Sequence, residues 1–256
     1  MKCLHYFPFE TFYAVYDGKA EHYGKPVKIS VPASAEFGRG FRSACTQVIE
    51  EENGDILMPV YAKRPGEEYM MCGVYRFAFD GEKLTFLDSG NFLEWREDRG
   101  MGEPSLCRYH GRYYLTLRTD ARGLFAVSED GLHFSEAEEW KWDTGYPLPT
   151  YNTQSHWLIL EDKLFLVYTR KAGCNDHVFR HRAPLFMAEV SDGKPKLLRH
   201  TERIAIPERG ARLGNFGVIY DEQTAYISVS EWMQPLGCEK YGSDNSFWIE
   251  KLTAER

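Results

Sequence analysis

The sequence predicts an all-β protein, a five-bladed β-propeller with four clear blades and an N-terminal partial blade. The first observation is a pattern of two apolar runs around a short polar turn, typical of a β-hairpin, which occurs four times in 256 residues. The second is spacing, because the four turns fall roughly 50 to 60 residues apart, a period that suits a four-stranded blade. A repeat array of this length is ordinarily one domain, so we expect residues 1–256 to form a single propeller domain.

The elements follow in chain order. The four hairpins are predicted at 42–63, 103–118, 154–170 and 215–231. Their outer strands are predicted at 74–79 and 84–87, 123–128, 185–190 and 196–199, and 247–252, and blade 2 continues from 123–128 through a turn at 128–134. Two further strand-like pieces, 11–16 and 27–31, are predicted to supply a fifth blade that pairs with 247–252 and closes the ring. Closure would remove the exposed edges of an open array.

Composition excludes several classes of function. A formal charge of −7 argues against nucleic acid as a partner, because phosphate binding needs a basic face. No apolar run is long enough for a membrane span, and the N-terminus lacks the apolar core of a signal peptide. We therefore expect a cytoplasmic protein, or a secreted one if its beginning is missing. The six cysteines form no C-x-x-C pair and are expected to be reduced.

The hairpins place polar residues together. Antiparallel pairing puts the start of the first strand and the end of the second at the same edge of each hairpin, so all four edges should meet on one face. The residues predicted there are Arg42, Lys63, Glu103, Arg118, Asp120, Gln154, His156, Arg170, Asn215 and Glu231. This face is the predicted functional site.

Several motifs carry a family resemblance. They are Glu103-Pro-Ser, the turn Ser128-x-Asp130-Gly131-x-x-Phe134, and the runs 152–157, 177–184 and 207–215. With these motifs the chain from about residue 38 onward resembles the sialidase-like β-propeller superfamily, and more narrowly the bacterial proteins labelled putative exo-sialidases. The turn at Ser128 resembles a shortened Asp box, in which Ser and Asp side chains bind turn amides. The resemblance implies a carbohydrate-active propeller with its active site on the central face.

The sequence departs from the true sialidases in its number of blades and of Asp boxes. Those enzymes have six blades, several full Asp boxes, and an arginine triad together with a tyrosine nucleophile backed by a glutamate. This sequence predicts four blades and a partial fifth, with one short turn of the Asp-box type. The acidic sugar is therefore left open among sialic acid, a uronate and a sulfated sugar.

Three carboxylates are candidates for catalysis. Glu103, Glu208 and Glu231 stand at predicted strand ends on the functional face. Glycoside hydrolysis needs a carboxylic acid to protonate the leaving oxygen and a second group to act as nucleophile or base. The alternative for each is an ion pair with a neighbouring arginine.

Arginines are the candidates for substrate binding. A guanidinium group can bind a sugar carboxylate or sulfate through two parallel hydrogen bonds. The predicted binding residues are Arg42, Arg118, Arg180, Arg182, Arg209 and Arg212, together with Gln154 and Asn215. The alternative is that each arginine pairs with a carboxylate such as Asp120, Asp176 or Glu208.

His156 and Tyr151 are the remaining catalytic candidates. A histidine at the start of an inner strand could transfer protons near neutral pH, or it could be a buried structural residue. His177 and His181 have the spacing of a zinc pair on a helix, but on an extended segment their rings would lie on the order of 13 Å apart. We predict no metal site and no cofactor.

Three functions remain open. The first is a glycosidase that cleaves a terminal acidic sugar from an oligosaccharide or glycan by carboxylate acid/base catalysis, with arginines binding the anion. The second is a polysaccharide lyase in which His156 or Tyr151 abstracts the proton next to a uronate carboxylate. The third is a non-catalytic carbohydrate-binding propeller. Propellers host all three, so the fold cannot choose between them.

Overall fold

The computed structural model describes residues 9–38, 40–221 and 223–254. Their regular structure is β-strand apart from three short 3-10 helices, Phe179–His181, Arg199–Thr201 and Cys238–Tyr241. Within these ranges there is no helix with the length and apolar character needed to cross a membrane. Cys3 and Glu222, the latter predicted in a turn, lie outside the described residues. The described cysteines are free thiols, as predicted.

The N-terminal strands form a hairpin of their own. They are β1 (Phe12–Tyr13), β2 (Tyr16–Asp17), β3 (His22–Tyr23) and β4 (Val27–Lys28). β1 pairs with β4 and β2 with β3, while the Gly24 amide donates to the Val15 carbonyl oxygen (2.8 Å) between the two pairs. Residues 11–29 therefore form one interrupted hairpin, here called the N-terminal hairpin, which shares no backbone ladder with another described strand.

Four blades follow the N-terminal hairpin. Blade 1 contains β5 (Ile49–Glu50), β6 (Ile56–Ala62), β7 (Met71–Phe79) and β8 (Leu84–Ser89). Blade 2 contains β9 (Gly102–Tyr109), β10 (Arg112–Arg118), β11 (Gly123–Ser128) and β12 (Glu138–Glu139). Blade 3 contains β13 (His156–Leu160), β14 (Lys163–Tyr168), β15 (Leu185–Glu189) and β16 (Arg203–Ile206). Blade 4 contains β17 (Phe216–Tyr220), β18 (Thr224–Ser230) and β19 (Phe247–Thr253). The four predicted hairpins are confirmed.

One outer strand was predicted in the wrong place. In blade 3 the fourth strand is β16, not 196–199, because Leu197 makes isolated bridges to Val190 and Trp142 and the chain then turns into a 3-10 helix. In blade 2 the fourth strand, β12, was not predicted and follows the turn at 128–134. There Phe134 makes a single bridge to Ser128 and its ring enters the core.

The turn from Ser128 to Phe134 has the hydrogen bonds that its sequence predicts. Ser128 Oγ accepts from the Gly131 amide (3.0 Å), and Asp130 Oδ1 accepts from the amides of Leu132 (2.9 Å) and His133 (2.7 Å). Gly131 has φ 75°, and a Cβ there would lie 2.6 Å from Leu57 of blade 1. The turn therefore packs against the neighbouring blade.

The prediction of a fifth blade is not confirmed. Strand β19 pairs with β18 and, among the described residues, with no N-terminal strand. The segment from the N-terminal hairpin to Phe41 instead packs on the face of blade 1 that is turned away from blade 2, where Ile29 and Phe37 enter its core. That face is apolar along β6 and β7 and has no neighbouring blade, so burying it outweighs pairing with β19. Among the described residues no strand fills the space between blades 4 and 1, where Gln47 Nε2 donates to the Val218 carbonyl oxygen of β17 (3.4 Å).

Each blade interface is an apolar cluster. Leu57 and Val74 of blade 1 pack with Leu106 and Leu115 of blade 2. Trp140, Trp142 and Trp157 are buried between blades 2 and 3. Val167 and Met187 of blade 3 pack with Val218, Ile227 and Val229 of blade 4. The two faces of blades 2 and 3 are thus both covered.

Four polar side chains connect the blades where their inner strands meet. Gln47, ahead of β5, donates from Nε2 to the Trp157 carbonyl oxygen (2.8 Å), and its Oε1 accepts from the Trp157 amide (2.6 Å). Ser105 donates to the same oxygen of Gln47 (2.9 Å) and contacts His156 Nδ1 (2.9 Å). Gln154 donates to the Phe216 carbonyl oxygen of blade 4 (2.8 Å) and lies 3.0 Å from His156 Nε2. We call Gln47, Ser105, Gln154 and His156 the axial network.

Replacing Gln47 by alanine should destabilise the protein. The backbone amide and carbonyl of buried Trp157 would lose their partners, at a cost of about 1–3 kcal/mol in the free energy of unfolding. Gln223→Ala, which removes an exposed side chain, is the matched control. Urea unfolding followed by tryptophan fluorescence measures both. Equal stability of the two variants would contradict the structural role of the network.

Candidate functional site

The site begins at one end of blade 2. Arg118, the last residue of β10, forms a two-point ion pair with Glu103 of β9, with Nε 2.8 Å from Oε2 and Nη2 3.3 Å from Oε1. A β-bulge between Thr116 and Arg118 sets this alignment. Glu103 has φ 48°, a conformation that costs energy for any residue other than glycine and is often found at functional sites. Glu103 therefore forms the ion pair that was considered as its alternative role, and its backbone is strained.

Asn152 links this pair to blade 3. Its Oδ1 accepts from Arg118 Nη1 (2.8 Å), and its carbonyl oxygen accepts from Arg182 Nη2 (2.5 Å). Asp120 lies 3.3 Å from Arg118 Nη1, and its hydrogen bond from Arg99 lowers its pKa. Asn152 itself has φ 45°. The structure therefore brings Glu103, Arg118 and Arg182 together, as predicted for the face.

Tyr61 belongs to the site and was missed by the sequence analysis. A Cβ on Gly102 would lie 3.6 Å from the Tyr61 ring and 3.7 Å from Arg118 Nη2, so the phenol and the guanidinium group flank this glycine. Burial and the nearby charge of Glu103 raise the pKa of Tyr61 to about 12. The signal that could have found it is its position near the end of β6, which corresponds to Arg118 near the end of β10.

Three arginines form a cluster with few partners. Arg182 and Arg212 are buried, and Arg180 beside them is exposed. The Nε atom of Arg182 and the Nε and Nη2 atoms of Arg212 are buried without a hydrogen-bond partner among the described residues. Burial, reinforced by the charges of Arg180, Arg212 and Arg118, lowers the pKa of Arg182 to about 10, although Glu103 opposes this. Burial and Arg180 also lower the pKa of Arg212.

The guanidinium plane of Arg212 is held between two aromatic rings. Its Cζ lies 3.6 Å from the Trp232 ring centroid and 5.1 Å from that of Phe179. Arg212 and Trp232 also exchange backbone hydrogen bonds of 3.1 and 2.9 Å. The unpartnered Nε and Nη2 lie on one edge of the group, where two parallel donors match two oxygens of an anion. A cleft of about 530 Å³ adjoins it, lined by Arg212, Asn215, Ser230, Glu231, Trp232, Met233 and Asn245.

Glu231 borders this cleft, but its oxygens are already engaged. They accept hydrogen bonds from the amides of Asp244 (2.9 Å) and Ser246 (3.1 Å) and from Trp248 Nε1 (3.4 Å). The side chain is buried and holds the segment that leads into β19. Its predicted role as a free catalytic carboxylate is not supported by this geometry.

Glu208 and Arg209 are also occupied. Glu208 lies 3.0 Å from His177 Nε2 and accepts from the Gly210 amide (2.9 Å). Arg209 donates from Nε to the Gly242 carbonyl oxygen (2.7 Å) and lies 3.1 Å from Asp244. Both have the structural partners that the ion-pair alternative anticipates, and no described contact joins them to Glu103.

Gln154 and His156 lie beneath the face in the axial network. The Ser105 hydroxyl donates to Gln47, so His156 Nδ1–H donates to Ser105, and Nε2 accepts from Gln154. Burial lowers the pKa of His156 to about 4, which keeps the ring neutral. With both ring nitrogens engaged, His156 has no free lone pair to act as a base. Its structural alternative describes it better.

The remaining predicted residues lie around the edge of the site. Tyr151 is half-buried, with Lys171 Nζ 4.2 Å from its ring centroid and the His181 ring 5.9 Å away. Arg42 is exposed, and its Cζ lies 3.5 Å over the Phe9 ring. Asn215 is exposed in the Arg212 cleft.

No metal-binding group is found among the described residues. His177 contacts Glu208, whereas His181 lies 3.7 Å from Asp176, so the two histidines have different partners. Within residues 9–38, 40–221 and 223–254 no three His, Cys, Asp or Glu side chains converge as ligands would.

No protein-family model and no curated protein sequence matches the chain. Among solved structures it is similar to the Trypanosoma rangeli sialidase in complex with the inhibitor DANA, at 16% identity and a TM-score of 0.55 over 94% of this chain and 37% of the sialidase. It is also similar to a Bombyx mori GH32 β-fructofuranosidase mutant in complex with sucrose, at 12% identity and a TM-score of 0.53 over 81% of this chain and 47% of that one. A GH43_1 enzyme from Xanthomonas citri is similar at 16% identity and a TM-score of 0.50, over 81% of this chain and 69% of that enzyme.

These likenesses establish the fold. The chain has the β-propeller fold of which sialidases and other propeller glycosidases are examples, which confirms the resemblance found in the sequence. The chain spans 37% of the length of the sialidase and 47% of that of the fructofuranosidase.

Stability should decrease with falling pH because of His156. The folded-state pKa of about 4 lies below the ordinary histidine value of about 6.5, so the unfolded chain takes up the proton first as the pH falls. The free energy of unfolding should therefore fall by roughly 2–3 kcal/mol between pH 6.5 and pH 4 from this residue alone. Urea unfolding across this range should show a shallower slope for His156→Gln than for the unmodified protein.

His200→Gln is the control, because His200 is exposed and should leave the slope unchanged. An identical pH slope in His156→Gln and the unmodified protein would mean that His156 is not held neutral by burial.

Proposed function

We propose that this protein is a glycoside hydrolase that releases a terminal acidic sugar, a sialic acid, uronate or sulfated sugar, from an oligosaccharide or glycan. The observation that carries the proposal is the pair of buried guanidinium groups with unpartnered donors, Arg182 and Arg212, of which Arg182 is close enough to Glu103 for that carboxylate to affect its pKa. A buried charge is costly unless it is paired. A carboxylate or sulfate on the substrate would supply the missing acceptors.

The arginines have distinct roles in this proposal. Arg212, fixed by Trp232, would bind two oxygens of the anion through its free edge. Arg182 would add its free Nε, since its Nη2 is committed to Asn152. Arg118 already contacts Glu103 and Asn152, so its main role would be to position Glu103. Exposed Arg180 would supply further positive charge.

Tyr61 and Glu103 are the proposed chemical pair. The raised pKa of Tyr61 keeps its phenol protonated at neutral pH, so attack on the sugar requires a base to take the proton. Glu103, held by Arg118, would take that proton as Tyr61 Oη bonds to the anomeric carbon and the glycosidic bond breaks, while the leaving oxygen takes a proton from water. Attack of the resulting hydroxide on the anomeric carbon would then break the tyrosyl–sugar bond, and Glu103 would return its proton to Tyr61. A tyrosine nucleophile with a glutamate is also what the resemblance to sialidases implies. Glu208 and Glu231 are left out because their oxygens are engaged elsewhere.

The lyase alternative is weaker in this geometry. It assigned proton abstraction to His156 or Tyr151, and His156 is buried with both nitrogens bonded. Tyr151 contacts Lys171 and His181, and no described contact joins it to Glu103. The non-catalytic alternative rests on the short length of the chain and the missing motifs, and it shares the arginine cluster with the hydrolase.

The hydrolase should release fluorophore from 4-methylumbelliferyl glycosides of sialic acid, glucuronic acid or a sulfated hexosamine, and not from neutral ones. Glu103→Gln and Tyr61→Phe should lower kcat/KM by about 10²–10⁴, the range that proton-transfer groups contribute. Glu136→Gln, on an exposed loop, is the matched control and should keep full activity. Binding without turnover would instead support the non-catalytic propeller. An ultraviolet-absorbing unsaturated product from uronate polymers would support the lyase.

Arg212→Lys should weaken binding of the acidic sugar in particular. Lysine keeps the charge but loses the two parallel donors, so KM for the acidic substrate should rise about 10–100-fold, as expected for charged hydrogen bonds of about 1.5–3 kcal/mol. Arg203→Lys, on the exposed strand β16, should leave KM unchanged. Equal loss of affinity for acidic and neutral sugars would show that Arg212 does not bind the anion.

A further inference from the structure

Blade 4 has one apolar face that none of residues 9–38, 40–221 and 223–254 covers. Along β17 to β19 the side chains alternate, and one set packs on blade 3. The other set faces outward, with Ile219, Phe247 and Ile249 exposed by 69, 62 and 61% and with Tyr226 beside Ile219 across the strands. We call Ile219, Tyr226, Phe247 and Ile249 the open face. A contiguous exposed patch of this kind marks an interaction site.

The open face borders the gap in the ring. A cleft of about 580 Å³ separates it from residues 43–47, the segment ahead of β5. It is lined on one side by Ser43, Cys45, Thr46 and Gln47 and on the other by Gly217, Ile219, Tyr226, Ser228 and Ile249, with His156 at its base. Since blades 2 and 3 bury both of their faces, the cleft has the position of a missing neighbour for blade 4.

The N-terminal hairpin is the second unpartnered feature. Phe12, Tyr16 and Tyr23 are exposed by 52, 51 and 70%, and the rings of Tyr16 and Tyr23 contact each other (4.9 Å between centroids). A two-stranded hairpin is marginally stable by itself in water. At its base, the Tyr13 hydroxyl accepts from the Leu84 amide (3.2 Å) and Ile29 is buried, which anchors it to blade 1. Among the described residues, its aromatic tip has no apolar surface to pack on.

We propose that the N-terminal hairpin of one copy docks on the open face of a second copy, and that the reciprocal contact closes a two-fold dimer. Both partners are two- or three-stranded sheets with exposed aromatic and branched side chains, which pack well face to face. The exposed parts of these side chains, roughly 100 Å² each, give roughly 1,500 Å² over two reciprocal contacts, the size of a standard stable interface.

The anchor of the N-terminal hairpin favours a contact between two copies over a contact within one chain. The hairpin of the same chain is tied at its base to blade 1, on the opposite side of the cleft from the open face. Exchange between two copies covers both surfaces without releasing that anchor.

The oligomeric state tests the proposal. Sedimentation equilibrium should give a dimer of the 29.7 kDa chain. Ile249→Glu on the open face and Tyr23→Glu on the hairpin should each raise the dimer dissociation constant at least tenfold, because each would bury an unpaired charge. Tyr146→Glu replaces an equally exposed tyrosine outside both surfaces and should leave the dimer intact. An interface of roughly 1,500 Å² should hold the dimer together at a protein concentration of about 100 µM. A monomer at that concentration would overturn the proposal, and so would a dimer that neither variant weakens.

Cross-linking identifies the contact. In a background with Cys3, Cys45 and Cys174 replaced by serine, one preparation carries Tyr23→Cys and a second carries Ile249→Cys. After mixing and mild oxidation, a disulfide should join one chain of each preparation. Mixing Tyr146→Cys with Ile249→Cys is the control and should give no such product. When Tyr23→Cys and Ile249→Cys are combined in one chain, a disulfide that forms within that chain and leaves it monomeric would overturn the exchange.

Discussion

The arrangement of this propeller depends on the hydrogen bonds of the axial network. Inner strands of neighbouring blades share no backbone ladder, so the side chain of Gln47 takes over that role by bonding both backbone groups of Trp157. Ser105 and Gln154 extend the connection to blades 2 and 4. Each donor meets an acceptor only when His156 is neutral, because Gln154 already donates to its second nitrogen. The chain thus commits several polar residues to holding the blades together.

This commitment decides where a functional site can form. Polar groups on the axis are satisfied by one another, and Glu231 and Glu208 are satisfied by backbone amides and His177. The unsatisfied groups lie off the axis, where blade 2 meets the loops of blades 3 and 4. The site is therefore an arginine-lined region beside Glu103, and not a funnel centred on the axis as strand ends alone suggested.

The local features of the fold could be predicted from the sequence. Which of two distant surfaces a segment packs on could not. The four hairpins and the Ser128 turn depend on alternation and on side chains two or three residues apart, and these are visible in the sequence. The fate of residues 11–31 depended on whether blade 1 or β19 offered the better surface, which no local pattern records. Likewise, the strand-end position of Glu231 indicated which face it lies on. It did not indicate that backbone amides would donate hydrogen bonds to its carboxylate. Tyr61 was missed because an aromatic residue in an apolar run resembles core.

The arginine cluster is costly to bury, and neighbouring residues hold it in place. Two guanidinium groups are buried near a third in positions where mutual repulsion and lost hydration both lower their pKa values. Gly214 is needed to admit Arg182, since a Cβ there would lie 2.5 Å from Arg182 Cδ. Trp232 and Phe179 fix Arg212 without neutralising it. Glu231 lines the same cleft, but the amides of Asp244 and Ser246 hold its oxygens. The Nε and Nη2 donors of Arg212 therefore find no acceptor among the described residues, and an anion from outside the chain would supply one.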